Sequence, residues 1–369
     1  MSARACGLIG LSPGASRHRG APILGPGASL GHSIFLVCTV IVLALHPARA
    51  VDTFSAAFGE RIAATPKRGF LYRVVRAEPR AGGVAGGASQ VPTEAPTGAP
   101  TEAPTEGAAS LLYLYGTVHV GRAELFPINA AVATRLGQAS RLALEADPAN
   151  QASLARMVQA TAFYPENDSL ANHVPPELLA RLPRMGQRYH LSMARMLHMR
   201  AWMLAQSFDV LELGRAGLSG GEGVEVILSE YARQRHVPVV EIEGFEQQLR
   251  LLSTEPPAVQ QDELRESIDE IEDGQAARDA KALLDGWAQG DVAAIEASLA
   301  ELRAEEGPFA HFMVEEILAA RNQTMADRAE DYLREGGVTF FAVGALHLFS
   351  DQGLIAELAR RGYRVEDEQ

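Results

Sequence analysis

The chain is poor in cysteine. Only Cys6 and Cys38 occur in 369 residues, and both fall within the first fifty. Once those fifty are set aside, no thiol is left. A disulfide framework, a cysteine nucleophile and a cysteine-ligated zinc site are then excluded, and any metal has to be held by histidine, carboxylates and water. Basic residues are also scarce: 33 Lys and Arg stand against 46 Asp and Glu, a net charge of -13. Phosphate binding requires a basic face, so a nucleic-acid partner is not expected. Two common catalytic signatures are missing as well. There is no His-Glu-x-x-His helix, and the Gly-rich run Gly220 to Glu225 lacks the Lys-Ser/Thr of a phosphate loop. That run is expected to cap a helix.

The first fifty residues contain no acid, four arginines (Arg4, Arg17, Arg19 and Arg49) and one unbroken apolar run, Ser33 to Leu45, followed by Ala-Arg-Ala at 48–50. A basic region, a short apolar stretch and an A-x-A site mark a secretory signal peptide. The run has 13 residues, short of the roughly 20 a spanning helix needs. Residues 1–50 therefore read as a cleaved signal peptide, and the protein as periplasmic or secreted with no stable membrane insertion afterwards. Without cleavage the same segment would be a membrane anchor. Loss of the four arginines takes the net charge from -13 to -17.

Residues 51–369 read as a single domain, with enough chain to bury a real core. Gly69 to Ala77 and Ser110 to Val120 have the β-branched and aromatic content of strands. Between them, about 79–108, lies a Gly/Ala-rich segment and then a repeated Pro-Thr-Glu/Gly-Ala pattern, which cannot build a core. Strand-like flanks point to a hairpin insertion rather than an interdomain linker. Further on, strand-like and helix-like stretches alternate, which is the pattern of an α/β domain. Helices are expected over most of 149–213 and 245–334, and a strand, a helix, a turn at Gly362 and a last strand close the chain.

Two apolar strands run into Gly-x-x-His: Gly116 with His119, and Gly344 with His347. Glycine permits a turn or close approach where a Cβ would clash, and open α/β sheets place ligands at the carboxyl ends of their strands. A lone histidine is more often structural than functional, but two in matching contexts, 228 positions apart, point to a shared crevice. Glu145 ends another apolar stretch, where a carboxylate is costly to bury unpartnered. Asp147 suits a surface or capping role there better. Two imidazoles and a carboxylate would form a facial set for a divalent ion, or equally an acid/base set for hydrolysis. Arg321 lies among Ile317, Leu318, Met325 and Ala329. On those residues alone it reads first as a surface arginine, and otherwise as a group that steadies an oxyanion. His173, His190, His198, His236 and His311 lack partner spacing and read as structural or surface residues.

At these motifs the chain resembles the TraB/GumN family, related to the Tiki proteases and, in a wider clan, to erythromycin esterase. The matching segments are LYGTVHVG at 114–121, LEAD at 144–147, RNQTMA at 321–326 and the block from Val343 to Tyr363. Shorter matches are AW at 201–202, GVE at 223–225, IEG at 242–244 and WAQGD at 287–291. The resemblance implies a mixed central β-sheet flanked by helices, in two related halves that each contribute a strand-Gly-x-x-His motif. It implies His119, Glu145 and His347 as catalytic and metal-binding groups, Arg321 as a buried catalytic arginine, and Gly116 and Gly344 as turns. The activity implied is a metal-dependent hydrolase of a peptide or small ester, with Mn²⁺, Co²⁺ or Zn²⁺ as the ion. A non-catalytic extracytoplasmic protein that binds a peptide or hydrophobic signal is the alternative. The chain departs from the family at Ser350, where a glycine is usual, at Ala201, where proline is usual, and at Gly244, where threonine is usual.

Overall fold

A computed structural model describes residues 69–76, 110–125 and 128–368. The expected signal peptide and the insertion at about 79–108 lie outside these residues. Six strands form one mixed sheet: β1 (Phe70–Arg76), β2 (Leu111–Thr117), β3 (Arg141–Leu144), β4 (Val239–Glu241), β5 (Val338–Gly344) and β6 (Tyr363–Asp367), in the order β4-β3-β5-β2-β1-β6. β4, β3, β5 and β2 pair in parallel, and β1 runs antiparallel to both β2 and β6. The flanks of the insertion are thus neighbours in an antiparallel pair, as a hairpin requires.

The composition of the strands follows their place in the sheet. Leu112 to Leu114 and Phe340 to Val343 are buried on both faces, so these strands read as continuous apolar runs with no alternation. β6 sits at an edge and carries Arg364, Glu366 and Asp367, charges that discourage pairing with another chain.

The helices that follow in the chain are α1 (Ala130–Gln138), α2 (Gln151–Thr161), α3 (Pro176–Leu179), α4 (Leu182–Tyr189), α5 (Met193–His198) and α6 (Ala201–Arg215). Then come α7 (Val224–Gln234), α8 (Phe245–Ser253), α9 (Pro257–Glu272), α10 (Gln275–Gln289), α11 (Val292–Ala304) and α12 (Pro308–Phe312). The last two are α13 (Arg321–Glu335) and α14 (Leu354–Arg360). The stretch expected to be mostly helical from 149 is broken into the five pieces α2 to α6, with Pro175–Pro176 and a left-handed His190 among the breaks. The segment WAQGD is a stop and a start together. Gly290 ends α10 with φ 66°, and the Asp291 side chain accepts from Ala294 N at 3.2 Å to cap α11.

The core lies between sheet and helices, around Tyr115, Phe340, Phe341, Trp202, Phe208 and Trp287. Full burial of each such side chain contributes on the order of 2–3 kcal/mol. Trp287 also donates its Nε1–H to the Gly116 carbonyl at 2.9 Å, which ties α10 to the carboxyl end of β2. Among the described residues no helix is long and apolar enough to cross a membrane.

The loop after His347 shows what the departure at 350 does. Ser350 has φ 81°, left-handed backbone that favours glycine. Its hydroxyl offsets part of the strain by accepting from Arg303 Nη2 at 2.7 Å and from Gln352 N at 3.3 Å. Ser350→Gly is expected to raise stability by up to about 1 kcal/mol, because the φ penalty exceeds two exposed hydrogen bonds. Ser350→Ala keeps the strain and loses the bonds, so it should destabilise. Chemical unfolding midpoints of the two variants must move in opposite directions.

Candidate active site

Parallel pairing of β2 with β5 aligns Thr117 with Gly344, and β3 ends beside them, Leu144 pairing with Ala342. The carboxyl ends of three strands therefore open on one side of the sheet, and His119, Glu145 and His347 follow those ends. Gly344 stands at their meeting point. A methyl group built on it would lie 3.3 Å from His119 Nε2, 3.4 Å from Glu145 Oε1 and 3.6 Å from His347 Cδ2. No two of these atoms can then be more than about 7 Å apart, twice the longest of those distances.

Neither motif glycine is needed for left-handed backbone, and Gly116 is present for space. Neither has a positive φ, Gly344 having φ -52°. Gly116 lies inside β2, not at a turn, and a Cβ there would sit 2.7 Å from Leu348 Cδ1 and 3.3 Å from Ala345 Cα. The backbone of β2 thus lies directly against the turn that carries His347.

Each imidazole is oriented through Nδ1. His347 is buried, and its Nδ1 lies 2.7 Å from Asn322 Oδ1. Asn322 uses its own Nδ2–H on the Gln352 carbonyl at 2.8 Å, which leaves Oδ1 as acceptor and places the His347 proton on Nδ1. Nε2 then carries the lone pair. His119 Nδ1 lies 2.9 Å from the buried Glu225 carboxylate, which Thr117 Oγ1 also contacts, and its Nε2 faces Gly344. The Gly-rich run that begins at Ser219 delivers Glu225 there. It bridges Gly121 to Ser219 through backbone bonds of 2.8 and 2.9 Å, and Gly223 caps the start of α7, as the sequence suggested.

Glu145 and Arg321 form a buried charge cluster. Arg321 is 6% exposed and so is not the surface residue its immediate neighbours implied. Its Nη2 lies 2.6 Å from Glu145 Oε2 and 2.7 Å from Glu243 Oε2, and its Nε lies 2.9 Å from Glu243 Oε1. Gln248 on α8 donates to Glu145 and Glu243 at 3.1 and 3.2 Å, and Gly344 N donates to Glu145 Oε1 at 2.7 Å. A π-helical segment, Met313–Ala320, precedes α13, whose first two residues are Arg321 and Asn322.

These surroundings pull the titrating groups apart. Burial works against the Glu145 carboxylate, but Arg321, both imidazoles and the Gly344 N–H hold it well below the usual carboxylate range. Burial and Arg321 push His347 down to about 3 against the pull of Glu145. Burial also opposes charge on His119, and Glu225 and then Glu145 overcome it, raising the ring to about 9.

Glu225, Glu243, Gln248 and Asn322 complete the site beyond the residues singled out from sequence. Glu243 had the same signal as Glu145, an acid at the end of an apolar strand-like stretch. Asn322 adjoins Arg321, and Glu225 opens a helix after glycines. Gln248 carried no signal. Asp147 lies apart, paired with Arg233 at 2.7 Å. His173, His190, His198, His236 and His311 are exposed, as expected.

Arg321→Met would strand two buried carboxylates and is expected to cost about 3–5 kcal/mol in urea unfolding. Arg250→Met, at an arginine 67% exposed in its ion pair, should stay within about 0.5 kcal/mol. Equal losses at the two positions would contradict the cluster as described.

Residues 103–367 match the model of the TraB/PrgY/gumN family. The "Uncharacterized protein YbaP" of Escherichia coli (strain K12) is 26% identical over 140 residues, 38% of this chain and 51% of that protein. The protein of the same name from Shigella flexneri matches to the same extent. The chain spans about half the length of the curated relatives it matches. No solved structure matches. With the family match extending over most of the chain and over both Gly-x-x-His segments, this protein belongs to the TraB/PrgY/gumN family.

Proposed function

We propose that the protein is a hydrolase of peptide or small ester bonds that acts outside the cytoplasm, in the periplasm or after secretion. The observation that carries this reading is the convergence of His119, Glu145 and His347 on Gly344 at the carboxyl ends of three neighbouring strands. The location rests on the basic, apolar and Ala-Arg-Ala sequence of residues 1–50.

The hydrogen bonds assign complementary roles to the two rings. His347, with its Nδ1–H hydrogen-bonded to Asn322, can accept a proton on Nε2 from water as that water adds to the substrate carbonyl carbon. His119, oriented by the Glu225 carboxylate, can deliver a proton through Nε2 to the nitrogen or oxygen that leaves as the C–N or C–O bond breaks. Glu145 supports the positive charge that passes between the rings. Arg321 is engaged by two carboxylates, so its part is to hold Glu145 in place.

A second reading adds a divalent ion, Mn²⁺, Co²⁺ or Zn²⁺. The chemistry of the donors suits it, since metal-binding histidines usually commit the other ring nitrogen to a carboxylate or carbonyl, as both do here. The disposition of the side chains does not. Among the described residues no three His, Cys, Asp or Glu are placed to hold an ion, and Glu145 already serves Arg321, Gln248 and Gly344 N.

Digestion of a peptide library and turnover of small esters, read by mass spectrometry, test the proposal. His119→Ala and His347→Ala are each expected to lower the rate about 10²–10⁴-fold. Cleavage unaffected by either substitution, or saturable ligand binding without any product, would rule hydrolysis out in favour of a binding protein. Protein purified without a histidine tag is expected to keep its activity in chelator. Activity lost there and restored by Mn²⁺, Co²⁺ or Zn²⁺ would establish the metal-dependent reading instead.

A further inference from the structure

Away from this site, α6 and α9 pack along each other, and their contact holds three carboxyls without a base. Asp209 on α6 and Glu263 on α9 are fully buried, and Glu255, between α8 and α9, is 4% exposed. Asp209 Oδ1 accepts from Ser267 Oγ at 2.6 Å, and Glu263 Oε1 accepts from Gln206 Nε2 at 2.7 Å. Five further oxygens have no donor among the described residues: Asp209 Oδ2, Glu263 Oε2, both of Glu255, and Oε1 of Gln206, itself 2% exposed with its amide turned into the cluster. The Glu255 and Glu263 carboxyls adjoin each other.

Charged groups on the surrounding elements are committed elsewhere. Glu212 on α6 is held by Arg188 and Tyr189 of α4. On α9, Asp262 is held by Arg265 and by Phe309 N of α12, Glu266 faces Arg265, Asp269 and Glu305, and Glu270 has a partner of its own. Lys281 and Arg278 of α10 bind Asp285 and the Asp273 carbonyl. Arg250 of α8 pairs with Glu246, and Arg156 of α2 and His311 of α12 are exposed.

Among the described residues, acceptors thus outnumber donors in this interior, and burying ionised carboxylates without countercharge costs far more than protonating them. We infer that Asp209, Glu255 and Glu263 form a proton-held latch, in which each carboxyl keeps a proton and loss of these protons on the alkaline side loosens the α6–α9 contact. Protonation supplies the donors that the five oxygens lack. Burial accordingly pushes Glu255 up to about 8 and Asp209 up to about 7. Their native values exceed the unfolded ones, so the stabilisation is complete in acid and is lost as pH rises through about 7 and 8. The latch also bears on the candidate site. α8 carries Gln248 against Glu145 and Glu243 near one end, and the chain runs into Glu255 two residues after the other. The inference is independent of the proposed hydrolysis.

Thermal unfolding of the full chain between pH 5 and pH 9 provides the test. The wild type should lose several degrees of midpoint relative to Glu255→Gln and Asp209→Asn as pH rises. For each carboxyl removed, that is roughly tenfold in the folded-to-unfolded ratio per pH unit of raised pKa. Parallel profiles for wild type and variants would overturn the latch. Infrared spectra of the wild type give a readout that needs no variant. The carbonyl band of a protonated carboxylic acid should be present at pH 7 and gone at pH 9, and its absence at pH 7 would equally overturn the inference. Recovery of the wild-type midpoint at pH 9 by millimolar Ca²⁺, absent in Glu255→Gln, would identify the cluster as a cation site and refute the proton-held latch.

Discussion

The architecture depends on one strand pairing. β2 and β5 come from opposite ends of the chain and lie side by side in parallel, with Thr117 opposite Gly344. A slip of one residue would turn the inward side chains of both strands to the other face. It would also separate Gly116 from the turn it packs beneath and move His119 away from Gly344. The continuous apolar character of both strands lets them occupy the middle of the sheet, covered on each face. Histidines remote in sequence become neighbours because their strands end at the same edge, and the two glycines let backbone and rings approach as closely as they do.

Charge balance constrains the site next. Three carboxylates, Glu145, Glu225 and Glu243, lie beneath the surface, and each has an assigned partner: Arg321 for two of them and His119 for the third. Buried ion pairs contribute little net stability against an apolar alternative, yet they become costly when broken, so they enforce one arrangement of the side chains they hold. Here they hold a histidine and a glutamate. The α6–α9 cluster meets the same electrostatic demand differently. Among the described residues it has no base, and protonation takes the place of an ion pair.

Much of this was legible in the residues. Apolar runs located β1, β2, β3 and β5, and the glycine-histidine spacing and the buried acid picked out the three side chains that meet. Glu243 carries the signal that marked Glu145. Arg321 was misread from its immediate surroundings, because what buries it is a pair of carboxylates contributed by β3 and by the chain just after β4, 176 and 78 positions away. Gln248 lies on an amphipathic helix like many others. Its role depends on where α8 starts relative to the end of β4.

The sequence by itself determined which segments are buried strands, where glycine is required, and that no cysteine chemistry operates beyond the first fifty residues. These are local properties, set by side-chain volume, hydrophobicity and backbone freedom. Tertiary structure alone decided which imidazole faces Asn322 and which faces Glu225, that Arg321 serves Glu145 and Glu243 together, and that three acids on α6, α9 and their approach share one buried interface. Electrostatic partnership acts through a few ångströms of space with no regard for separation along the chain, so it became readable only once the strands and helices were in place.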